Sequence, residues 1–253
     1  MREDLKFHSI SSIRYGKGME RKIAVIQSRK KLHSIRREQE NITRAIVGRA
    51  EAIFLSALDN GLAWSMPREI LKDFDGLIFG GSSDFDFNGG REAGDPARLM
   101  SHQILLRLEG LISFALTKHV PILGICFGHQ LIGHIYGADV AHDTKQGKFG
   151  SYEVHQTDEG KHDAIFKHLP EVFMAQYWHK DSLTKLPKSA TLLASSNVCR
   201  FSALRYGVGA YTFQFHPEIV RWYDPCPHQP SPEASKIIPL WLSECVRAAI
   251  KRS

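Results

Sequence analysis

Apolar and polar positions fall in blocks whose period changes several times along this chain. Lys22 to Gln27, KIAVIQ, is an apolar run rich in branched residues and predicts the first strand. Ser34 can cap a helix running to about Ala50, because Ile42, Ile46 and Ala50 recur on one face. Ala52 to Leu55, Gly76 to Phe79 and Ile122 to Ile125 are further short apolar runs and predict strands. Asp95 and Pro96 make an N-cap and first turn for a long helix to about Lys118, burying Leu99, Ile104, Leu105, Leu108, Leu111 and Ile112. From Ala138 to Phe215 the runs ADVAH, SYEVH, VFMAQYW, ATLLA, FSALRY and AYTFQF alternate with turns and predict more strands, partly antiparallel. Asp224 to Pro232 holds four prolines and predicts irregular backbone. Ser231 and Pro232 then open a closing helix with Ile237, Ile238, Trp241, Leu242, Val246 and Ile250 on its packing stripe and a kink at Pro239. Strand, helix, strand in repetition predicts an α/β fold: a doubly wound, mostly parallel central sheet with helices on both faces and an antiparallel extension.

Composition narrows this picture. With 253 residues, 43% of them hydrophobic, the chain can bury one substantial core, so residues 22–253 are expected to form a single domain behind an extension, 1–21, without clear periodicity. The cysteines Cys126, Cys199, Cys226 and Cys245 include no C-x-x-C pair, as expected in a reducing compartment. There is no stretch of about eighteen apolar residues and no apolar segment after the N-terminus, so neither a membrane span nor a signal peptide is expected, and the expected location is cytoplasmic. A net charge of +6 permits an anionic partner, but the basic residues are scattered without interleaved aromatics, so nucleic-acid binding is not expected.

The chemistry gathers at Val120 to Tyr136, VPILGICFGHQLIGHIY. An apolar run ends at Gly124 and a helical pattern begins at about Gln130, which puts Cys126 on the turn between strand and helix. Gly124 and Gly128 flank it because a Cβ at either place would strike the neighbouring strand or helix start. The following helix directs its positive end at the sulfur and favours thiolate. Alone, Cys126 could equally be a small buried hydrophobe. The second stretch is Phe213 to Ile219, FQFHPEI, where Pro217 biases His216 to an extended backbone, so His216 and Glu218 at i and i+2 project together. An imidazole with a carboxylate behind it is the base that a thiol nucleophile needs.

Gly124-Ile125-Cys126-Phe127-Gly128-His129-Gln130 and His216-Pro217-Glu218 resemble the paired signatures of class I (triad) glutamine amidotransferases. The similarity runs from about Lys22 to Trp222, taking in Asp75 to Ser82, which resembles the family's oxyanion-loop strand, and Trp178 to Leu183, which resembles its H-x-D segment. Lys148 to Ser151 and His179-x-Asp181 are most similar to the glutaminase half of GMP synthetases and free-standing relatives.

The resemblance implies a flavodoxin-like fold and a catalytic triad of Cys126, His216 and Glu218, hydrolysing the side-chain amide of glutamine through a thioester without a cofactor. It implies an oxyanion hole from the N–H groups of Gly80, Gly81 and Phe127, and contacts to glutamine from Gln130, His179 and Asp181. Gln130 could also be an ordinary polar residue in a first helical turn, and His179 and Asp181 a surface turn. The residues after Glu218 leave no room for an ATP-using domain, so the expected partner is a separate synthase subunit; the oligomeric state is not legible. Two other readings stand beside this one: a free-standing γ-glutamyl peptidase, and a non-catalytic regulatory member.

Two metal readings are weaker. Cys126, His129 and His134 are spaced like zinc ligands, but a helix turns the histidines to different faces, and His134 reads as a half-buried helix residue. Asp84, Asp86, Asn88 and Gly89 copy the start of a calcium loop, yet a strand precedes them, Arg91 sits at an apolar place and the bidentate Glu is missing. Ser82 to Pro96 is expected instead to be a mobile rim loop beside the active site.

Overall fold

The computed structural model describes residues 21–220 and 229–250. The expected extension up to residue 20, the first part of the proline-rich segment, Cys226 and the Ile250 side chain lie outside the described residues. Eleven strands are described: β1 (Arg21–Gln27), β2 (Ala50–Ser56), β3 (Gly76–Phe79), β4 (Ile122–Ile125), β5 (Val140–His142), β6 (Lys148–Gln156), β7 (Val172–His179), β8 (Asp181–Leu183), β9 (Ala190–Ser196), β10 (Cys199–Tyr206) and β11 (Ala210–Phe213). The longer helices are α1 (Leu32–Ile46), α2 (Pro96–Thr117) and α3 (Phe127–Ile135), with α4 (Ile237–Trp241) near the end.

Nine strands form one sheet in the order β2-β1-β3-β4-β11-β10-β9-β6-β7, and β5 pairs with β8 apart from it. The first five are parallel and the remaining pairings antiparallel. The parallel strands β3, β4 and β11 are four residues each and buried throughout, as strands covered on both faces must be. One face packs Ile42 and Ile46 of α1 with Ile237, Ile238 and Trp241 of α4. The other takes Ile104, Leu108, Leu111 and Ile112 of α2 with Leu131 and Ile132 of α3. The sheet is therefore doubly wound, as its strand, helix, strand pattern predicts.

Several boundaries differ from the sequence reading. Lys31, not Ser34, precedes α1, and its side chain makes no cap. Ala50 opens β2 instead of closing the helix, because Gly48 takes a positive φ of 74° and turns the chain. Leu99 is 49% exposed and Leu105 half-buried, whereas Ile104, Leu108, Leu111 and Ile112 are buried as expected. Helix α2 is long and apolar enough, by length and composition, to cross a bilayer; its buried stripe lies against the sheet. Pro239 falls within the first turn of α4, where its missing N–H costs no helical bond, and the helix changes register three residues later in a π segment, Leu242–Val246.

The parallel order decides where the chemistry lies. β1, β3, β4 and β11 end on the same edge of the sheet, so Arg29, the Gly80-Gly81 turn, Cys126 and His216 follow neighbouring strands. Open parallel sheets place their sites at this carboxyl edge.

Candidate active site

Cys126 stands at φ 51° and ψ −98° between β4 and α3, and the helix begins at Phe127, three residues before the sequence reading. A Cβ on Gly124 would meet the Gly128 carbonyl at 3.0 Å, and one on Gly128 would run into the Phe79 carbonyl. The N–H of Gly128 donates to Gly80 O at 3.2 Å. These glycines thus let α3 press on β3 and bring the elbow beside the Gly80-Gly81 turn. The Cys126 N–H donates to Phe213 O at 2.7 Å, which ties the elbow to β11 on its other side.

His216 and Glu218 come together by a route the sequence reading did not foresee. β11 ends at Phe213, and the Ile219 N–H donates to His216 O at 3.2 Å, so His216-Pro217-Glu218-Ile219 is a tight turn rather than an extended strand. Its curvature sets His216 Nδ1 2.7 Å from Glu218 Oε1. The imidazole and the Cys126 side chain both border Gly81, where a Cβ would stand 3.1 Å from His216 Cε1 and 3.5 Å from Cys126 Cβ, and the Cys126 thiol donates to Trp178 O at 3.5 Å. Burial alone would lower the His216 pKa, but the charges of Glu218 and Cys126 outweigh it and push it up to about 10. The stability this supplies is fully present below the ordinary imidazole range and is lost as pH rises through about 10. Urea unfolding between pH 7 and 10 is therefore expected to show stability falling by at most about 1.4 kcal/mol per pH unit, the slope of one proton. Glu218→Gln should flatten that slope; an unchanged slope in the variant would count against the pairing.

The N–H groups expected to face an oxyanion are engaged on the sheet side. Gly80 N–H donates to Ile26 O at 3.0 Å, and Gly81 N–H donates to Glu38 Oε1 at 3.0 Å. Glu38 is buried on α1, where it also accepts from Gln27 Nε2 at 2.9 Å and pairs with Arg29 at 3.0 Å. Burial pushes its carboxyl above the usual range, with Arg29 opposing. Neither Arg29 nor Glu38 was singled out as a site residue from sequence, although a signal was there. Ser34, Glu38, Ile42 and Ile46 are the buried stripe of α1 at four-residue spacing, and a carboxylate on such a stripe needs a buried partner. Glu38→Ala leaves Arg29 buried without its carboxylate, and denaturant unfolding is expected to show a loss of about 3–5 kcal/mol; a change within about 1 kcal/mol would refute this coupling.

A cavity of about 280 Å³ opens beside Cys126, lined by Phe127, Gln130, Trp178, His179 and Asp181 among others. His179 and Asp181 are buried at the end of β7 and start of β8, not on a surface turn. His179 Nδ1 is 3.1 Å from Asp181 O, and burial pushes its pKa down to about 4, so it is neutral near pH 7. The Asp181 carboxylate accepts from the N–H groups of Asn88 and Gly89 at 2.7 and 2.6 Å. The loop expected to be mobile is thus tied to Asp181, while Phe87 is buried against Phe127. Gln130 Nε2 donates to Asp181 O at 2.7 Å and to Gln214 Oε1 at 3.2 Å.

The histidines and acids of the two metal readings are used otherwise. His129 Nδ1 lies 2.8 Å from Thr212 Oγ1, and His134 stacks on Phe87. Asp84 accepts from the N–H groups of Lys30 and Lys31, and Asp86 pairs with Arg91. Two larger clefts, of about 840 and 780 Å³, lie away from Cys126. The cysteine lining the second is Cys245, whose thiol burial pushes up to about 12, which leaves it inert at neutral pH.

A nucleophile elbow, a buried His–Glu pair and a cavity at the carboxyl edge of a doubly wound sheet agree with sequence comparison: the chain belongs to the class I glutamine amidotransferase family. The model of that family matches residues 100–223, which include Cys126, His216 and Glu218 but not Gly80 and Gly81. The chain is 32% identical over 154 residues to a subunit of the glutamine-hydrolysing GMP synthase of Archaeoglobus fulgidus, covering 60% of this chain and 71% of that one. Against the corresponding GMP synthase chain of Methanocaldococcus jannaschii it is 35% identical over 114 residues, spanning 45% of this chain and 58% of the relative's length. A Thermoplasma acidophilum structure described as a candidate GMP synthase subunit shares the fold, with a TM-score of 0.69 at 21% identity, over 94% of this chain and 100% of that one. A glutamine amidotransferase from Thermotoga maritima also shares it, at a TM-score of 0.58 and 19% identity, over 93% and 86%.

Proposed function

We propose that the chain hydrolyses the side-chain amide of glutamine at Cys126 and delivers ammonia to a separate synthase subunit. The observation that carries this reading is the buried line from Cys126 through His216 to Glu218, beside a cavity whose volume suits an amino acid better than a larger ligand. The raised His216 pKa favours an imidazolium facing the sulfur. The thiolate attacks the amide carbon, His216 protonates the leaving nitrogen, and Glu218 holds the ring in place. Water then attacks the thioester as His216 takes its proton, which releases glutamate and restores the thiolate.

The N–H of Phe127, at the positive end of α3, is the first donor to the oxyanion. Gly81 adds a second once its N–H turns from Glu38, a movement that its missing Cβ permits between Arg29 and His216. Gln130, His179 and Asp181 shape the glutamine pocket, with the Asp181 carboxylate acting through the loop it anchors. The names of the curated relatives support a synthase partner. The test is ammonia release from glutamine by the purified chain, alone and with the synthase subunit captured from its source. Absence of ammonia in both conditions would remove the proposal.

A further inference from the structure

The cleft of about 840 Å³ stands where the strand order of the sheet reverses. From β1 the chain passes through α1 to β2 on one side, while β3, on the other side of β1, leads through α2 to β4. Helix α1 packs on one face of the sheet and α2 on the other, so the loops after β1 and β3 part at the carboxyl edge. Doubly wound sheets bind nucleotides in such a crevice. Here the loop after β1 lines it with Lys30 and Lys31, the loop after β3 with Ser83 to Phe85, and α2 with Met100 and Arg107. Cys126 and His216 follow β4 and β11, so the crevice is not taken up by the chemistry proposed for them.

The lining combines an apolar wall with an excess of positive charge. Leu58, Phe85 and Met100 form the wall. Both carboxylates of the lining are engaged: Asp84 accepts from the N–H groups of Lys30 and Lys31, and Asp95 from the Ala97 N–H and the Arg91 guanidinium. Arg107 is held differently. Its guanidinium donates to Ala57 O at 2.5 Å and to Asn60 Oδ1 at 2.6 Å, two neutral acceptors that fix its position without cancelling its charge. Among the described residues no carboxylate pairs with the side chain of Arg107 or of Lys30. A fixed guanidinium and a lysine beside an apolar wall, in a space of this volume, suit a phosphate ester with a flat ring.

We infer that the crevice binds a nucleoside monophosphate, its ring against Leu58, Phe85 and Met100 and its phosphate on Lys30 and Arg107. Ser83 and Phe85 also line the cavity beside Cys126, so the nucleotide bears on a wall that the two spaces share. Binding does not depend on the reading of Cys126 given above; the influence on turnover does.

Isothermal titration of the full chain with AMP, GMP, CMP and UMP is expected to give at least one Kd of about 100 µM or tighter, with the matching nucleoside and inorganic phosphate each at least about tenfold weaker, because each supplies half of the contacts. Lys30 is exposed, so Lys30→Glu leaves the fold intact and should weaken binding by about tenfold or more, as should raised salt in the parent chain. Hydrogen exchange should slow at residues 57–62 and 82–91. With the site filled, KM for glutamine is expected to fall by about fivefold, the size of an ordinary coupling between sites. Failure of all four nucleotides to bind, equal affinity for inorganic phosphate or for the nucleoside, or an unchanged Kd in Lys30→Glu would overturn the site. Protection confined to residues 126–130 and 178–181 would place the nucleotide in the cavity beside Cys126 and overturn it too. An unchanged KM with the site filled would overturn its bearing on turnover, whereas the absence of any glutamine hydrolysis would remove the catalytic reading and leave the binding result standing.

Discussion

With Cys126 as the proposed nucleophile, Cys126→Ala is expected to lower glutamine hydrolysis by about 10⁴-fold or more, because removal of a nucleophile that acts as a unit with its base leaves only binding and oxyanion contacts. The fold should persist. Both residues carry a Cβ, so the elbow's φ of 51° is equally strained in each, and the lost sulfur contacts amount to about 1 kcal/mol. Cys126→Gly relieves that strain and should be more stable than Cys126→Ala by about 1 kcal/mol, though equally inactive. The checks are a coupled ammonia assay and denaturant midpoints of the three proteins. Activity of the alanine variant within about tenfold of the parent would eliminate Cys126 as the nucleophile.

Gly128→Ala is expected to be worse for the protein than loss of the Cys126 thiol. Its new methyl would overlap the Phe79 carbonyl, a backbone atom of a buried four-residue strand that cannot rotate away. Either α3 lifts from β3, which breaks the 3.2 Å bond from Gly128 N–H to Gly80 O, or the strand shifts and carries the Gly80-Gly81 turn with it. Overpacking of this kind costs about 3 kcal/mol or more. Both escapes displace the elbow from His216, so activity should fall by about 100-fold or more even where the variant folds, since small misplacements carry large penalties. Urea unfolding and turnover measured on the same preparation decide it. Gly110, exposed on α2 with open space where a Cβ would stand, is the control: Gly110→Ala should leave stability equal or higher.

Residues Lys22–Gln27, Gly76–Phe79 and Ile122–Ile125 were readable as strands because an interior strand must be apolar on both faces, a property of neighbouring residues alone. The elbow was readable for a related reason. Its glycines answer a steric demand within five residues, and the contacts of Gly124 and Gly128 bear that reason out. His216 and Glu218 were legible as partners from their spacing, but the backbone that joins them was not: a turn closed by the Ile219 N–H replaces the expected strand.

Thus local order in the chain determined the strands, the glycine-flanked cysteine and the histidine–glutamate pair. Tertiary structure alone decided which polar groups close on one another. It set Glu38 against the Gly81 N–H 43 residues away and Asp181 against the Gly89 N–H 92 residues away. Hydrophobic period reports which side of an element is buried. A buried carboxylate takes whichever donor the assembled sheet brings within about 3 Å, and that donor is chosen by strand order rather than by the residues beside it.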